Sequence, residues 1–306
     1  MNQPPEIFDT ELLARRRNRA AAHASQHDFL LNHVAEDLVE RLQLIKRVFP
    51  IGVNLGAHHG LLARLLRQLP GVETIIDVER SAGLLELCGR PRVLADPEAL
   101  PFAEASLDIV ASGLCLHLVN DLPGTLLQIR RALKPDGLFL AALLGGDTLT
   151  ELRQSWLIAE DEIEGGASPR VAPFGDIRDI GGLLQRAGFA LPVVDAERLT
   201  VTYASPLALM AEIKGMGASN MLAARRRKPV TSGLLAHAAE VYRRRFAGPD
   251  GRVPATFDIL SITAWAPDES QPKPLRPGSA KMRLAAALGV EESATHPAEK
   301  PGSTKG

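Results

Sequence analysis

Cysteine is nearly absent. Among 306 residues only Cys88 and Cys115 occur. Two cysteines with no C-x-x-C pair exclude a disulfide framework and cysteine-type redox or zinc motifs, and a reducing compartment fits. Aromatic residues make up 4%, too few to build the stacking platforms of nucleic-acid binders, so no nucleic-acid partner is expected. Charge of one sign is also missing. The chain has 35 basic and 36 acidic residues, which gives no overall pull toward nucleic acid or an anionic membrane. No apolar run approaches the length of a membrane span. Met1 to Arg19 lacks the apolar centre of a signal peptide, and Glu6, Asp9 and Glu11 are acids that a transit peptide avoids. The expected address is the bacterial cytoplasm, or an organelle matrix after processing.

Apolar residues are plentiful, at 45%, enough for a sizeable α/β core. From about residue 50 to 145, short apolar runs alternate with amphipathic stretches. Residues 51–55, 74–78, 92–95, 107–112 and 138–144 read as strands. Residues 61–69, 82–87 and 122–133 read as helices, the last with Pro123 near its start, where a missing N–H costs nothing. Lys134-Pro135-Asp136-Gly137 reads as a turn. Strand and helix alternating in this way predict a doubly wound, mainly parallel sheet. Further on, helices are expected at 149–164, 177–187, 206–214 and 231–246, and strands at 193–203 and 256–265. The organisation expected is an N-terminal helical segment (1–49), one α/β domain (50–266) with a helical insertion at about 204–252, and a disordered tail (267–306) rich in Pro, Gly and Ser. The basic runs Arg15–Arg17, Arg225–Lys228 and Arg243–Arg245 read as solvated helix faces, with docking of an acidic partner as the alternative.

The informative segment is Asn54-Leu55-Gly56-Ala57-His58-His59-Gly60, which follows a strand and opens a helix. Glycines there let a ligand approach the backbone, and a helix N-terminus favours an anionic group. In nucleotide-binding α/β folds an acid at the end of the next strand, about twenty residues on, holds the ribose hydroxyls. Asp77 sits at that spacing. A strand-end surface acid is the alternative reading.

Several segments together resemble the class I S-adenosylmethionine-dependent methyltransferases. They are Asp77-Val78, the stretch Asp96-Pro97-Glu98-Ala99-Leu100-Pro101-Phe102, Ser106 to Val110, and Lys134 to Leu138. The resemblance implies a seven-stranded Rossmann-like sheet and S-adenosylmethionine as cofactor. It implies cofactor contacts from Gly56, Ala57, Gly60, Asp77, Val78, Asp96, Pro97 and Leu114. A narrower resemblance covers roughly residues 7 to 266. Ile7-Phe8-Asp9, Leu116 to Pro123, Gly145 to Leu149 with Glu151-Leu152-Arg153, Gly215 to Asn220 and Val253 to Thr256 look like the methyltransferase-like assembly factor family of respiratory complex I. That family is similar in turn to the malonyl-carrier-protein methyltransferases of biotin synthesis. It implies a respiratory-chain subunit or other protein as partner, and arginine hydroxylation as an alternative to methyl transfer. A non-catalytic assembly role is a third reading.

The loop departs from the usual D-x-G-x-G-x-G at two places. Asn54 replaces the acid, and His58 replaces the middle glycine, where an imidazole crowds the amino-acid end of the cofactor. Weak cofactor binding is expected from both. His117 and Asp147 lie near the ends of the fourth and fifth strands and are the substrate-side candidates. Core packing or turn formation is the alternative for each. No catalytic residue is assigned. No metal is expected, because no histidine here is followed two residues later by Asp or Glu.

Overall fold

The computed structural model describes residues 6–272. Most of the expected tail, from residue 273 on, lies outside the described residues. One compact unit ends at Asp268, and a second begins at Glu269, of which only residues 269–272 are described.

The strands are β1 (Phe49–Leu55), β2 (Val72–Glu79), β3 (Arg92–Leu94), β4 (Leu107–Gly113), β5 (Leu133–Leu144), β6 (Ala190–Tyr203) and β7 (Val253–Trp265). The helices are α1 (Thr10–Ala20), α2 (Phe29–Gln43), α3 (Leu61–Leu66), α4 (Ala82–Leu85), α5 (Leu122–Ala132), α6 (Thr150–Glu164), α7 (Ile177–Arg186), α8 (Pro206–Gly215) and α9 (Ser232–Phe246). The sheet has seven strands in the order β3-β2-β1-β4-β5-β7-β6. β1 to β5 pair in parallel; β7 runs antiparallel between β5 and β6. This is the doubly wound, seven-stranded Rossmann-like arrangement expected from the alternation of elements. The helices α8 and α9 fill the stretch between β6 and β7.

Alternation of side chains gives each face its own core. In β5, Leu138, Leu140 and Ala142 face α2, α6 and α9, while Phe139, Ala141 and Leu143 face α5 and α7. The expected turn at 134–137 exists, but inside β5. Pairing with β4 jumps from Leu107↔Leu133 to Ile109↔Leu138, so the turn residues stand out of the ladder, and Asp136 takes a left-handed φ of 60°. β7 is longer than expected: Val253, Ala255 and Phe257 join the core before the predicted start is well under way.

Helix ends follow local chemistry. Asp9, Ser81, Asp121, Asp176, Ser205 and Thr231 each accept a backbone N–H in the first turn of the helix that follows. The chain order reverses direction between β1 and β4. A crevice opens there beyond the carboxyl ends of the strands, the place where ligands bind in such sheets.

The centre of the sheet leaves little room beneath that crevice. A β-carbon on Gly52 would meet Ile109 Cγ2 at 2.5 Å and Ile75 Cδ1 at 2.7 Å. Gly52→Ala therefore overpacks the β2–β1–β4 centre and is expected to cost about 1–3 kcal/mol. Urea unfolding checks this through a lowered midpoint at unchanged slope.

Candidate functional site

The loop after β1 is held closely. Gly56 and Ala57 both donate backbone N–H groups to Val78 O at 2.9 Å. Gly56, His58 and Gly60 have φ values of 68°, 52° and 78°. His58 thus adopts the left-handed backbone that the family's glycine would take, and the loop keeps its path at the expense of some strain. A β-carbon on Gly56 would lie 2.2 Å from Cys115 Cβ and Sγ. Only glycine allows Cys115, just after β4, to pack on the loop.

Glu79, the last residue of β2, is the acid on which this region converges. It is fully buried. Its carboxylate accepts His58 N–H at 2.9 Å and Ser81 N–H at 2.9 Å. Arg17, on α1, forms an ion pair with it at 3.6 Å. The sequence reading named Asp77, two residues earlier on the same side of the strand, and did not single out Glu79. A signal was present: Ser81 caps α4, which sets the strand end at Glu79 rather than Asp77.

Asp77 itself is buried within the sheet. It accepts Asn54 Nδ2–H at 2.8 Å and Arg67 Nη2–H at 2.9 Å. Burial raises its pKa, and the hydrogen bonds of Asn54 and Arg67 oppose that shift. Each of its oxygens accepts from a protein donor, the side chain is fully buried, and it lines none of the three cavities described below. The same geometry explains Asn54. It pairs with Asp77 across β1 and β2, where a second carboxylate would face the first.

The other expected contacts divide. Pro97 lines a narrow space of about 20 Å³ with Glu79, Arg80 and Cys115, closed by Leu13, Ala14 and Arg17 of α1. Asp96 does not line that space; it is paired with Arg80, which does, and accepts Glu98 N–H at 2.9 Å. Val78 is buried beneath the loop in the core. Leu114, at φ 53°, lines a second space of about 90 Å³ together with Arg17, His58, His59, Asp28 and His117. A third cavity of about 250 Å³ adjoins it, shares His117, Leu118, Leu144 and Met216, and is enclosed by α6, α8 and the segments 170–174 and 216–221.

His117 therefore stands between two cavities. Its Nδ1 accepts Leu144 N–H at 3.3 Å, which leaves Nε2 as the protonated, donating nitrogen. Burial, then the charge of Arg17, brings its pKa down to about 3. Burial and Arg17 likewise hold His58 well below the usual histidine range. Asp147, expected on the substrate side, lines none of these three cavities. It is exposed and bound to Arg198 at 2.5 Å, because Asp147 N–H turns toward Asp258. Both thiols, Cys88 and Cys115, are pushed by burial up to about 12, so neither is a nucleophile at neutral pH. Among the described residues no three His, Cys, Asp or Glu side chains gather as a metal site.

A methyltransferase domain model matches residues 53–141. The mouse mitochondrial arginine-hydroxylase NDUFAF5 is 39% identical over 296 residues, which cover 95% of this chain and 86% of the mouse protein. The chain belongs to the NDUFAF5 family. It is also 36% identical to the malonyl-[acyl-carrier protein] O-methyltransferase of Halorhodospira halophila, over 85% of this chain and 89% of that one. A solved Bacillus halodurans structure, assigned as a methyltransferase, superimposes with a TM-score of 0.54 at 16% identity, over 76% of this chain and all of that one. This NDUFAF5-family chain thus has the class I methyltransferase fold. Its crevice lies where the fold's own switch point puts it.

Two outcomes test the buried polar groups. Asn54→Asp sets a second carboxylate against buried Asp77 and removes the donor that Asp77 uses. A loss on the order of 2–3 kcal/mol is expected, read as a fall in urea midpoint at neutral pH that eases on acidification. For His117, the unfolded imidazole has the ordinary value of 6.5 and the folded one about 3. Between those values the unfolded chain binds the extra proton, so the stability present above pH 6.5 is lost as pH falls toward 3. His117→Gln does not titrate. Its stability should fall less steeply by about 1.4 kcal/mol per pH unit below pH 6, as measured by urea unfolding across that range.

Proposed function

We propose that this chain binds S-adenosylmethionine in the crevice between β1 and β4 and acts as a methyltransferase-like, protein-modifying enzyme. The observation that carries the reading is Glu79: a buried carboxylate at the end of β2, beside a loop whose glycines have left-handed φ. His58 Nε2 and Arg80 Nε are buried and make no hydrogen bond among the described residues. The first lies in the space beside Leu114 and the second beside Pro97, so both ends of the crevice offer polar groups to a ligand. Glu79 would hold the ribose hydroxyls, Pro97 and Asp96 the adenine side, and Gly56, Ala57 and Gly60 the backbone wall. The narrow adenosine side requires Arg17 and the rest of α1 to draw back, which frees Glu79 for the hydroxyls.

The cofactor supplies an electrophilic methyl group. The chain's own part is to orient the acceptor and to exclude water. His117 is a neutral donor in this tautomer, so it positions an acceptor atom and does not remove a proton.

Arginine hydroxylation within respiratory complex I assembly is the second reading. It is favoured by the identity of 39% over 95% of the chain with a protein named for that chemistry. A non-catalytic assembly protein that keeps the fold is the third reading. A respiratory-chain subunit is the partner implied, in the bacterial cytoplasm or an organelle matrix. No described helix is long and apolar enough to cross a membrane.

Calorimetry with S-adenosylhomocysteine tests the site. Glu79→Gln should weaken binding at least about tenfold, some 1.4 kcal/mol, with thermal unfolding confirming the fold. Unchanged affinity removes Glu79 from the site, and no binding by the parent removes the cofactor. Intact masses of recovered partners, with and without the gene, then separate a methyl shift, an oxygen shift and no change.

A further inference from the structure

The cavity beside the proposed cofactor site has a chemistry of its own. Its walls are almost wholly apolar, with Leu152 and Trp156 from α6, Met210 and Ile213 from α8, and Phe174 and Phe257 closing the sides. None of the residues lining it is Asp or Glu. Its one charged residue, Arg170, is already neutralised. Arg170 Nε donates to Glu160 at 2.9 Å, and the guanidinium lies 4.7 Å above the Trp156 ring. Asn220 is spent as well, donating from Nδ2 to Pro169 O at 2.8 Å and accepting Leu222 N–H at 3.1 Å. Polar capacity is left to Ser219 on one wall and to His117 at the junction with the cofactor crevice. His117 Nε2 must donate, because Nδ1 is already an acceptor.

We propose that this cavity binds an uncharged, mainly hydrocarbon ligand whose carbonyl oxygen accepts from His117 Nε2–H at the junction. The inference rests on the preceding reading only in taking the smaller crevice as the cofactor's. A guanidinium is the wrong occupant: once desolvated it would need a carboxylate, and the cavity has none. The carboxylate that lines the smaller space, Asp28, is taken by His59 and Asn32, each at 3.0 Å. A free carboxylate would meet walls of leucine and phenylalanine. An aliphatic chain matches them, and methionines on α8 and in the 216–221 segment adapt to its shape. The hydrogen bond at the junction fixes the polar end of the chain toward Leu114 and the loop of His58, beside the cofactor crevice.

Trp156 reports on the cavity directly. In the full chain carrying Trp265→Phe, it is the only tryptophan. Methyl octanoate should change its fluorescence in a saturable way, whereas octanoate should bind at least tenfold more weakly and N-acetyl-arginine amide should give no response. Ile213→Phe, which fills the cavity, should abolish the methyl octanoate response, and Met210→Phe repeats the test if the first variant unfolds. His117→Leu should weaken methyl octanoate at least threefold while leaving octane unchanged. Binding of N-acetyl-arginine amide in place of the ester overturns the proposal. So does an ester response that the filling variants leave intact, or no response at all. A parallel titration with S-adenosylhomocysteine keeps the two readings apart. Ester binding without nucleoside binding removes the cofactor assignment alone, and the converse removes this one alone.

Discussion

A buried carboxylate must be surrounded by donors, and Glu79 makes that demand at the end of β2. Removing it from water costs several kcal/mol unless its oxygens are paired. Three separate parts of the chain supply the pairing: the β1 loop through His58 N–H, the entry to α4 through Ser81 N–H, and α1 through Arg17. The position of α1 is reinforced elsewhere. Asp9 holds Arg225 at 3.0 Å, Phe8 bridges to Leu222, and Asn120 accepts the N–H groups of Ile7 and Phe8. The N-terminal segment is therefore tied at one end to the cofactor crevice and at the other to the segment that roofs the larger cavity.

The second buried acid, Asp77, makes a different demand and explains a departure from the family's loop. Asp77 and Glu79, two residues apart on one side of β2, bury two carboxylates at the same end of the sheet. Arg67 and Asn54 answer the first, and Arg17 the second. An acid at position 54 would add a third charge against Asp77. The amide there offers a donor instead, so Asn54 reads as the partner of Asp77 more than as a lost cofactor anchor. His58 is likewise accommodated. Its backbone bends as glycine would, and its N–H serves Glu79.

The sheet was legible because its central strands are buried on both faces and its helices are amphipathic, so period and length separated them. The Leu107–Ser112 and Leu138–Leu144 runs are cases where almost every side chain meets a core. The site was less legible. Its loop could be found from glycine spacing, but the spacing rule for the ribose acid fits Asp77 and Glu79 alike and does not choose between them. The outward turn of Asp147 was not legible for another reason. Proximity to a strand end says nothing about which way a turn points, and here Asp258 and Arg198, distant in sequence, draw it outward. Arg17 lay beyond any local rule, since a basic run on a helix reads as a solvated face. The arginine is buried only because α1 crosses the crevice.

Relatives of this chain carry names for different reactions, malonyl-[acyl-carrier protein] O-methylation and arginine hydroxylation. The sheet cannot account for that difference, because fold and chemistry are separable. The two compartments differ in what builds them. The space around Glu79 is lined from the end of β2, the segments that follow β3 and β4, and α1. The larger cavity is built from α6, α8 and the segments at 170–174 and 216–221, which lie outside the first five strands and their crossovers. His117 lines both the space beside His58 and the larger cavity, and its tautomer is fixed by Leu144 N–H at the end of β5. The two spaces meet along a shared wall in which His117 is the polar side chain, beside Leu118, Leu144 and Met216.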